Sequence, residues 1–228
     1  MAQSVLVIAD SGTGKSTSIR NLNPKETFII NIANKPLPFK GWKSKYKQIS
    51  KDNPSGNLTA ASTAAGIVKA LKHVNDKMPD IKTIVVDDWQ YMSSFEYFDR
   101  AQEKGYDKFT QIASNLAMVA KLPKDLRDDL TVFFLTHSED STDINGNRKV
   151  KAKTIGKMID NALTLEGLFS IVLFGRAKKN DDDGLDYGFE TQNNGENTCK
   201  SPMGMFEDFF IPNDLQYVKE SIQKYEEE

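Results

Sequence analysis

Nine consecutive residues, Ala9-Asp10-Ser11-Gly12-Thr13-Gly14-Lys15-Ser16-Thr17, carry the sharpest chemical signal in the chain. Gly12 and Gly14 let a backbone wrap closely around an anion, so that the N–H groups of Asp10, Ser11, Gly12, Thr13 and Gly14 can point at it. Lys15 reaches the β- and γ-phosphates of a nucleoside triphosphate, and the Ser16 hydroxyl is placed to ligate magnesium. Thr17 falls near the α-phosphate. The usual first glycine of such a loop is replaced by Ala9, while Gly14-Lys15-Ser16 is intact. The stretch directly follows an apolar strand-like segment and directly precedes a helical one, the setting that separates a phosphate loop from a chance glycine-rich turn. The chemistry implied is the binding of ATP with Mg2+, and its hydrolysis.

Two further positions complete that chemistry. Asp87 closes the apolar run Thr83-Ile84-Val85-Val86, where a Walker-B carboxylate holds magnesium. Asp88 follows at once, either to polarise the attacking water or to cap the helix that starts at Trp89. Thr136 and His137 end the segment Leu130 to His137, which in such folds lies beside the Walker-B strand with its tip toward the γ-phosphate. His137 then either senses that phosphate or plays a structural part. Lys15, Asp88 and His137 are the expected catalytic residues, and Ser16 and Asp87 the expected metal ligands.

Positioning these side chains requires strands that end together. Ser4–Ala9, Thr27–Ile32, Thr83–Asp88, Leu130–His137 and Phe169–Gly175 are short, β-branched and continuously apolar, as buried strands are. Helical stretches separate most of them: Lys15–Leu22, Thr59–Lys77, Trp89–Lys104, and Lys108 to about Arg127 with a break at Pro123. The alternation predicts an α/β fold of the P-loop NTPase kind, a mostly parallel sheet with helices on both faces. Residues 138–212 read as hairpin and loop elaborations, with Asn145-Gly146 as a hairpin turn, 180–184 as an acidic turn and Tyr187–Thr191 as an edge strand. Residues 213–228 read as a C-terminal helix capped by Asn213 or Asp214, the whole forming one domain.

Bulk properties narrow the setting. The 228 residues are 39% hydrophobic and 27% charged with a formal net charge of -2, so no global basic field draws the chain to nucleic acid or acidic membranes. Its single cysteine, Cys199, excludes an internal disulfide and a cysteine-based zinc site and fits a reducing compartment. With no signal-peptide pattern and no apolar run approaching the roughly 20 residues of a membrane span, a cytoplasmic protein is expected.

The chain resembles the phage-encoded RecA-like ATPases of the AAA_24 type, associated with phage recombination and single-strand annealing. The resemblance lies in Ala9–Thr17, Asn34–Phe39, Ile84–Met92, Phe134–Asp140, Lys153–Asp160, Lys200–Phe206 and the Ile-Pro-Asn-Asp-Leu stretch near the end. It implies a RecA-like core, ATP as nucleotide, a role in phage DNA recombination or replication, and the host cytoplasm as its place. RecA-type recombinases carry a catalytic glutamate after the second strand, where this chain offers Asn31 and Asn34. Asp88 is then the substitute, or hydrolysis is slow.

The same resemblance puts a DNA-binding loop after the strand of His137, where Arg148, Lys149, Lys151, Lys153 and Lys157 cluster. A solvated hairpin is the other reading. A second basic stretch, Lys40–Lys51, interleaves lysines with Trp42 and Tyr46, as single-strand binding surfaces do, or as a loop does whose aromatics pack on the core. Single-stranded DNA and phage or host replication proteins are the expected partners. A homo-oligomer is expected, with Arg176, Lys178, Lys179 or Lys200 reaching a neighbour's site. Two other functions share the loop: an ATP-switched partner such as a helicase loader, and a small-molecule kinase. The kinase needs an arginine-rich lid, and Arg148 and Arg176 are the only late arginines.

Overall fold

The computed structural model describes residues 1–142, 146–155 and 163–227. The strands are β1 (Gln3–Ala9), β2 (Thr27–Asn31), β3 (Leu58–Thr59), β4 (Thr83–Asp87), β5 (Thr131–Thr142), β6 (Arg148–Ala152), β7 (Ile171–Lys179), β8 (Leu185–Glu190) and β9 (Phe210–Pro212). The helices are α1 (Trp42–Lys45), α2 (Ala64–Lys77), α3 (Gln90–Asp99), α4 (Asp107–Lys121) and α5 (Leu215–Glu227). Among the described residues the strand order is β3-β2-β4-β5-β1-β7-β8-β9, with β6 paired to the outer half of β5. β3, β2, β4, β5, β1 and β7 run parallel, while β6, β8 and β9 pair antiparallel.

Register brings the strand ends together. Ala9 stands opposite His137 on one side and Gly175 on the other, and Asn31 stands opposite Asp87. The strands are apolar throughout because both faces are covered. Leu6, Ile8, Phe28, Ile30, Ile84, Val86, Val132 and Phe134 face a core completed by Ile67, Leu71, Met92, Ile112 and Leu116 of α2, α3 and α4. Their alternating neighbours Val5, Val7, Ile29, Val85, Phe133 and Leu135 face Ile19, Tyr46, Leu215, Val218 and Ile222. This is the expected α/β P-loop architecture. No helix among the described residues is long and apolar enough to cross a membrane.

Several boundaries differ from the sequence reading. The segment after the glycine loop is a 3-10 helix, Ser16–Asn21. Leu58–Thr59 pairs with β2, so α2 starts only at Ala64, where the Thr63 side chain accepts from Gly66 N. α3 stops at Asp99, where Arg100 pairs with Glu96 and Glu103. α4 ends at Lys121 and a 3-10 turn, Leu122–Asp125, carries the Pro123 break. β5 does not stop at His137 but continues to Thr142, leaving the core as one arm of a hairpin with β6. β8 is not an edge strand, since β9 covers it. α5 is capped by Asp214, whose Oδ1 accepts from Gln216 N at 2.9 Å. Asn145 lies outside the described residues, as does Lys157.

Candidate functional site

Beyond β1 the chain turns through Gly12 and Gly14 at φ +82° and +86°, a region costly for any residue with a Cβ. Thr13 Oγ1 donates to Asp10 O at 2.8 Å and fixes the turn. On its far side Ser18 N donates to Gly14 O at 3.0 Å and Ser18 Oγ to Lys15 O at 2.6 Å. Gly14, Lys15, Ser16 and Thr17, where the loop runs into the 3-10 helix, line the cleft. Ala9, where such loops usually start with glycine, fits because its neighbour is Gly175, at which an added Cβ would lie 2.8 Å from the Ala9 methyl.

At one end of the cleft the reactive side chains converge. Ser16 Oγ donates to Asp87 Oδ1 at 2.8 Å, joining the loop to the end of β4. Asp88 is buried and gathers three cationic or polar partners: Lys15 Nζ at 3.4 Å from Oδ1, Lys35 Nζ at 2.5 Å from Oδ2, and His137 Nε2 at 3.6 Å from Oδ1. Gln90, at the start of α3, accepts from His137 N at 3.1 Å and from Thr136 Oγ1 at 3.3 Å, tying the backbone of β5 at His137 to that helix. Ser138 Oγ donates to Asp10 Oδ1, so the phosphate loop also touches the base of the β5–β6 hairpin.

The two adjacent carboxylates differ electrostatically. Burial, aided by the charge of Asp88, pushes Asp87 up to about 6, against the opposing hydrogen bond from Ser16. Burial acts upward on Asp88 too, but the His137 imidazole beside it and the ammonium groups of Lys35 and Lys15 overcome it and hold the group well below the usual carboxylate range. Asp88 has φ +59° and its carboxylate lies among these cations in the cleft, while no side chain caps α3 among the described residues. The helix-cap alternative is therefore excluded, and Asp88 belongs to the cleft. The loop is a cradle that a Cβ at Gly14 would crowd, and beside it stand a hydroxyl and a carboxylate of the type hard cations take. Ser16 and Asp87 thus suit a magnesium ion.

Lys35 also lines the cleft, although the motifs did not point to it. Its backbone is clamped at both ends by Asn31, whose Nδ2 donates to Lys35 O at 2.6 Å and whose Oδ1 accepts from Lys35 N at 3.3 Å. Asn34 turns the chain through φ +50° just before it, and the ammonium lies 5.5 Å from the centre of the Tyr91 ring. The charge of Asp88 raises the lysine above its ordinary value through their hydrogen bond, against a smaller effect of burial. Asn31 and Asn34, met in place of a glutamate, shape this lysine's approach.

The other basic residues singled out in the sequence do not line the cleft where they are described. Arg148 pairs with Asp140 at 2.8 Å and Lys151 with Glu139 at 3.2 Å, each across the β5–β6 hairpin. Lys149 projects from the same hairpin, and Lys153 N donates to His137 O at 2.8 Å. In the Lys40–Lys51 stretch Tyr46 is buried and Phe39 packs edge-on against it, so that ring serves the core and is closed to base stacking. Arg176 pairs with Glu190 and lies over Phe174, and Lys178 lies over Phe210 at 3.9 Å. Lys200 is tied by its backbone to Val172, and Lys179 is exposed.

The cleft has a volume of about 950 Å³ and runs from this cluster to a second wall around Leu185, Tyr187, Phe210, Pro212 and Asn213. That size suits a whole nucleotide. A sequence-family model described as "AAA domain" matches residues 1–203. No curated protein matches the chain.

Proposed function

The chain belongs to the AAA domain family of nucleotide-binding P-loop ATPases, and on that premise we propose that it is a magnesium-dependent ATPase of phage DNA recombination or replication that binds single-stranded DNA. The observation that carries the catalytic half is the meeting of Lys15, Ser16, Asp87, Asp88, His137 and Lys35 at one end of a nucleotide-sized cleft. In this reading Lys15 and Lys35 neutralise the charge on the γ-phosphate, and the loop N–H groups hold the β-phosphate. Ser16 and Asp87 would hold magnesium, which when bound would add to the neutralisation of phosphate charge. Asp88 accepts a hydrogen bond from the attacking water and so orients it. Water oxygen bonds to the γ-phosphorus as the bond to the β–γ bridging oxygen breaks. Because Asp88 is so weak a base, the water's proton leaves with inorganic phosphate. His137 sits on the strand that continues into the hairpin, where a change at the phosphate can be passed outward.

Support for DNA as the partner is the resemblance of most of the chain to recombination-associated phage ATPases, together with Arg148, Lys149, Lys151 and Lys153 on the hairpin that β5 forms. A second reading, an ATP-switched partner of another protein, is favoured by Phe98 in the last turn of α3 and Tyr106 just before α4, 69% and 76% exposed. The test is steady-state ATP hydrolysis with magnesium, with and without single-stranded DNA, using Lys15→Ala as the blank. Lys15→Ala should abolish turnover; unchanged turnover would remove the site assignment. Stimulation by DNA supports the recombination reading, and indifference to DNA favours the partner-switch reading.

A further inference from the structure

We infer that the wall formed by Tyr187 and Phe210–Asn213 is the base and sugar subsite of the cleft, taking the flat face of a nucleoside triphosphate's base by stacking. The inference rests on the nucleotide reading of the phosphate loop. The cleft is chemically graded. Cations, carboxylates and the serine hydroxyl crowd the β4–β5 side, whereas Leu185 and Tyr187, 51% and 43% exposed, line the β8–β9 side. Apolar side chains left open in a cleft beside a polyanion cradle fit the one apolar part of that ligand. Polarity along the loop agrees: Lys15 and Ser16 point to the β4–β5 end, and Gly14, Thr17 and Arg20 adjoin the wall.

The wall is built and joined to the loop. An added Cβ on Gly14 would lie 3.3 Å from Tyr187 Cδ1 and 3.3 Å from both side-chain amide atoms of Asn213. Arg20 Nη1 bridges Thr17 O at 3.2 Å and Asn213 O at 2.6 Å, and Asn21 Nδ2 donates to Asp214 Oδ2 at 2.6 Å. Asn213 N donates to Tyr187 O at 3.2 Å, prolonging the β8–β9 ladder. The spacing between phosphate cradle and apolar wall is thus fixed before any ligand arrives. Asn213 is 3% exposed, yet its Nδ2 is buried with no hydrogen-bond partner among the described residues. The amide is packed against Gly14, where it backs the phosphate loop from the side of the wall. Leu185 and Tyr187 lie within residues 1–203, the part matched by the family model, and Phe210–Asn213 lie beyond it.

The experiment is calorimetric titration of the magnesium-loaded protein with ATP, GTP and inorganic tripolyphosphate, for the wild type, Tyr187→Ala, Tyr187→Trp and Leu185→Ser. Tyr187→Ala should weaken ATP and GTP about tenfold, the low end of base–aromatic stacking, and leave tripolyphosphate unchanged. Tyr187→Trp should restore both nucleotides, and Leu185→Ser should follow Tyr187→Ala in direction. Nucleotide affinity unchanged in both Tyr187→Ala and Leu185→Ser, with tripolyphosphate still bound, overturns the wall while leaving the phosphate site standing. Equal weakening of ATP and tripolyphosphate in those variants also overturns it, because the residues would then only support the fold. Failure of the wild type to bind any of the three ligands overturns the phosphate-site reading and the wall together.

Discussion

Asp87 and Asp88 are neighbours in sequence, yet one is pushed up to about 6 by burial and the other is held low by the cationic groups around it. For Asp87 the folded protein keeps its proton between about pH 4 and 6, where the unfolded chain has already lost it. Its charge therefore costs stability that is lost as pH rises through that window. Asp87→Asn should raise the melting temperature of the metal-free protein at pH 7 by about 5 °C, while magnesium binding disappears. In the wild type, calorimetry should find magnesium affinity falling as pH drops through about 6, since the proton and the metal compete for one carboxylate. Lys35 makes a different prediction. It is 57% exposed, so Lys35→Ala should fold normally; kcat should nevertheless fall about 100-fold, the scale of removing one charge-stabilising donor. Single-turnover kinetics would measure it, and a wild-type rate would exclude Lys35 from the reaction. Lys15, Ser16 and Asp87 were legible in the sequence because a phosphate loop demands contiguous residues after a strand. Lys35 was not, because its part depends on the Asn31 clamp and the left-handed Asn34, which no local pattern announces.

At the level of elements, the buried parallel strands were legible for a plain reason: strands covered on both faces must be apolar throughout, and few other segments are. The outer half of β5, Ser-Glu-Asp-Ser-Thr, escaped that logic because it leaves the core and pairs only with β6. β9 escaped because three residues carry no periodicity. Yet β9 has a strict requirement in its partner strand. An added Cβ on Gly188 would lie 2.4 Å from Phe210 Cζ and 2.6 Å from Ile211 O, and Lys178 stands on the face of that ring. Gly188→Ala should therefore lower the urea midpoint by an amount equivalent to about 1–3 kcal/mol, with an unchanged slope. The hairpin carries a separate expectation. Replacing Lys149, Lys151 and Lys153 with alanine should weaken single-strand binding and flatten its salt dependence, because each lost phosphate contact lowers counterion release. An unaltered slope would move the DNA contact elsewhere.

For the molecule as a whole, a ligand that binds only the folded state stabilises it by mass action, about 2.7 kcal/mol at a hundredfold excess over Kd. ATP with magnesium should accordingly raise the melting temperature of the wild type and leave that of Lys15→Ala in place. The net charge of -2 sets no long-range attraction to DNA, so any binding should be steep in salt and confined to local patches. One feature of the chain's course has a bearing on its synthesis. The phosphate cradle is made from β1 and the turn after it, but Arg20 and Asn21 are tied to Asn213 and Asp214, 193 residues further along the chain. A nascent chain can shape the glycine loop early, yet its cleft stays open on the β8–β9 side until Asn213 has left the ribosome. A chain interrupted before Asn213 should therefore keep its phosphate cradle and lose its hold on the base.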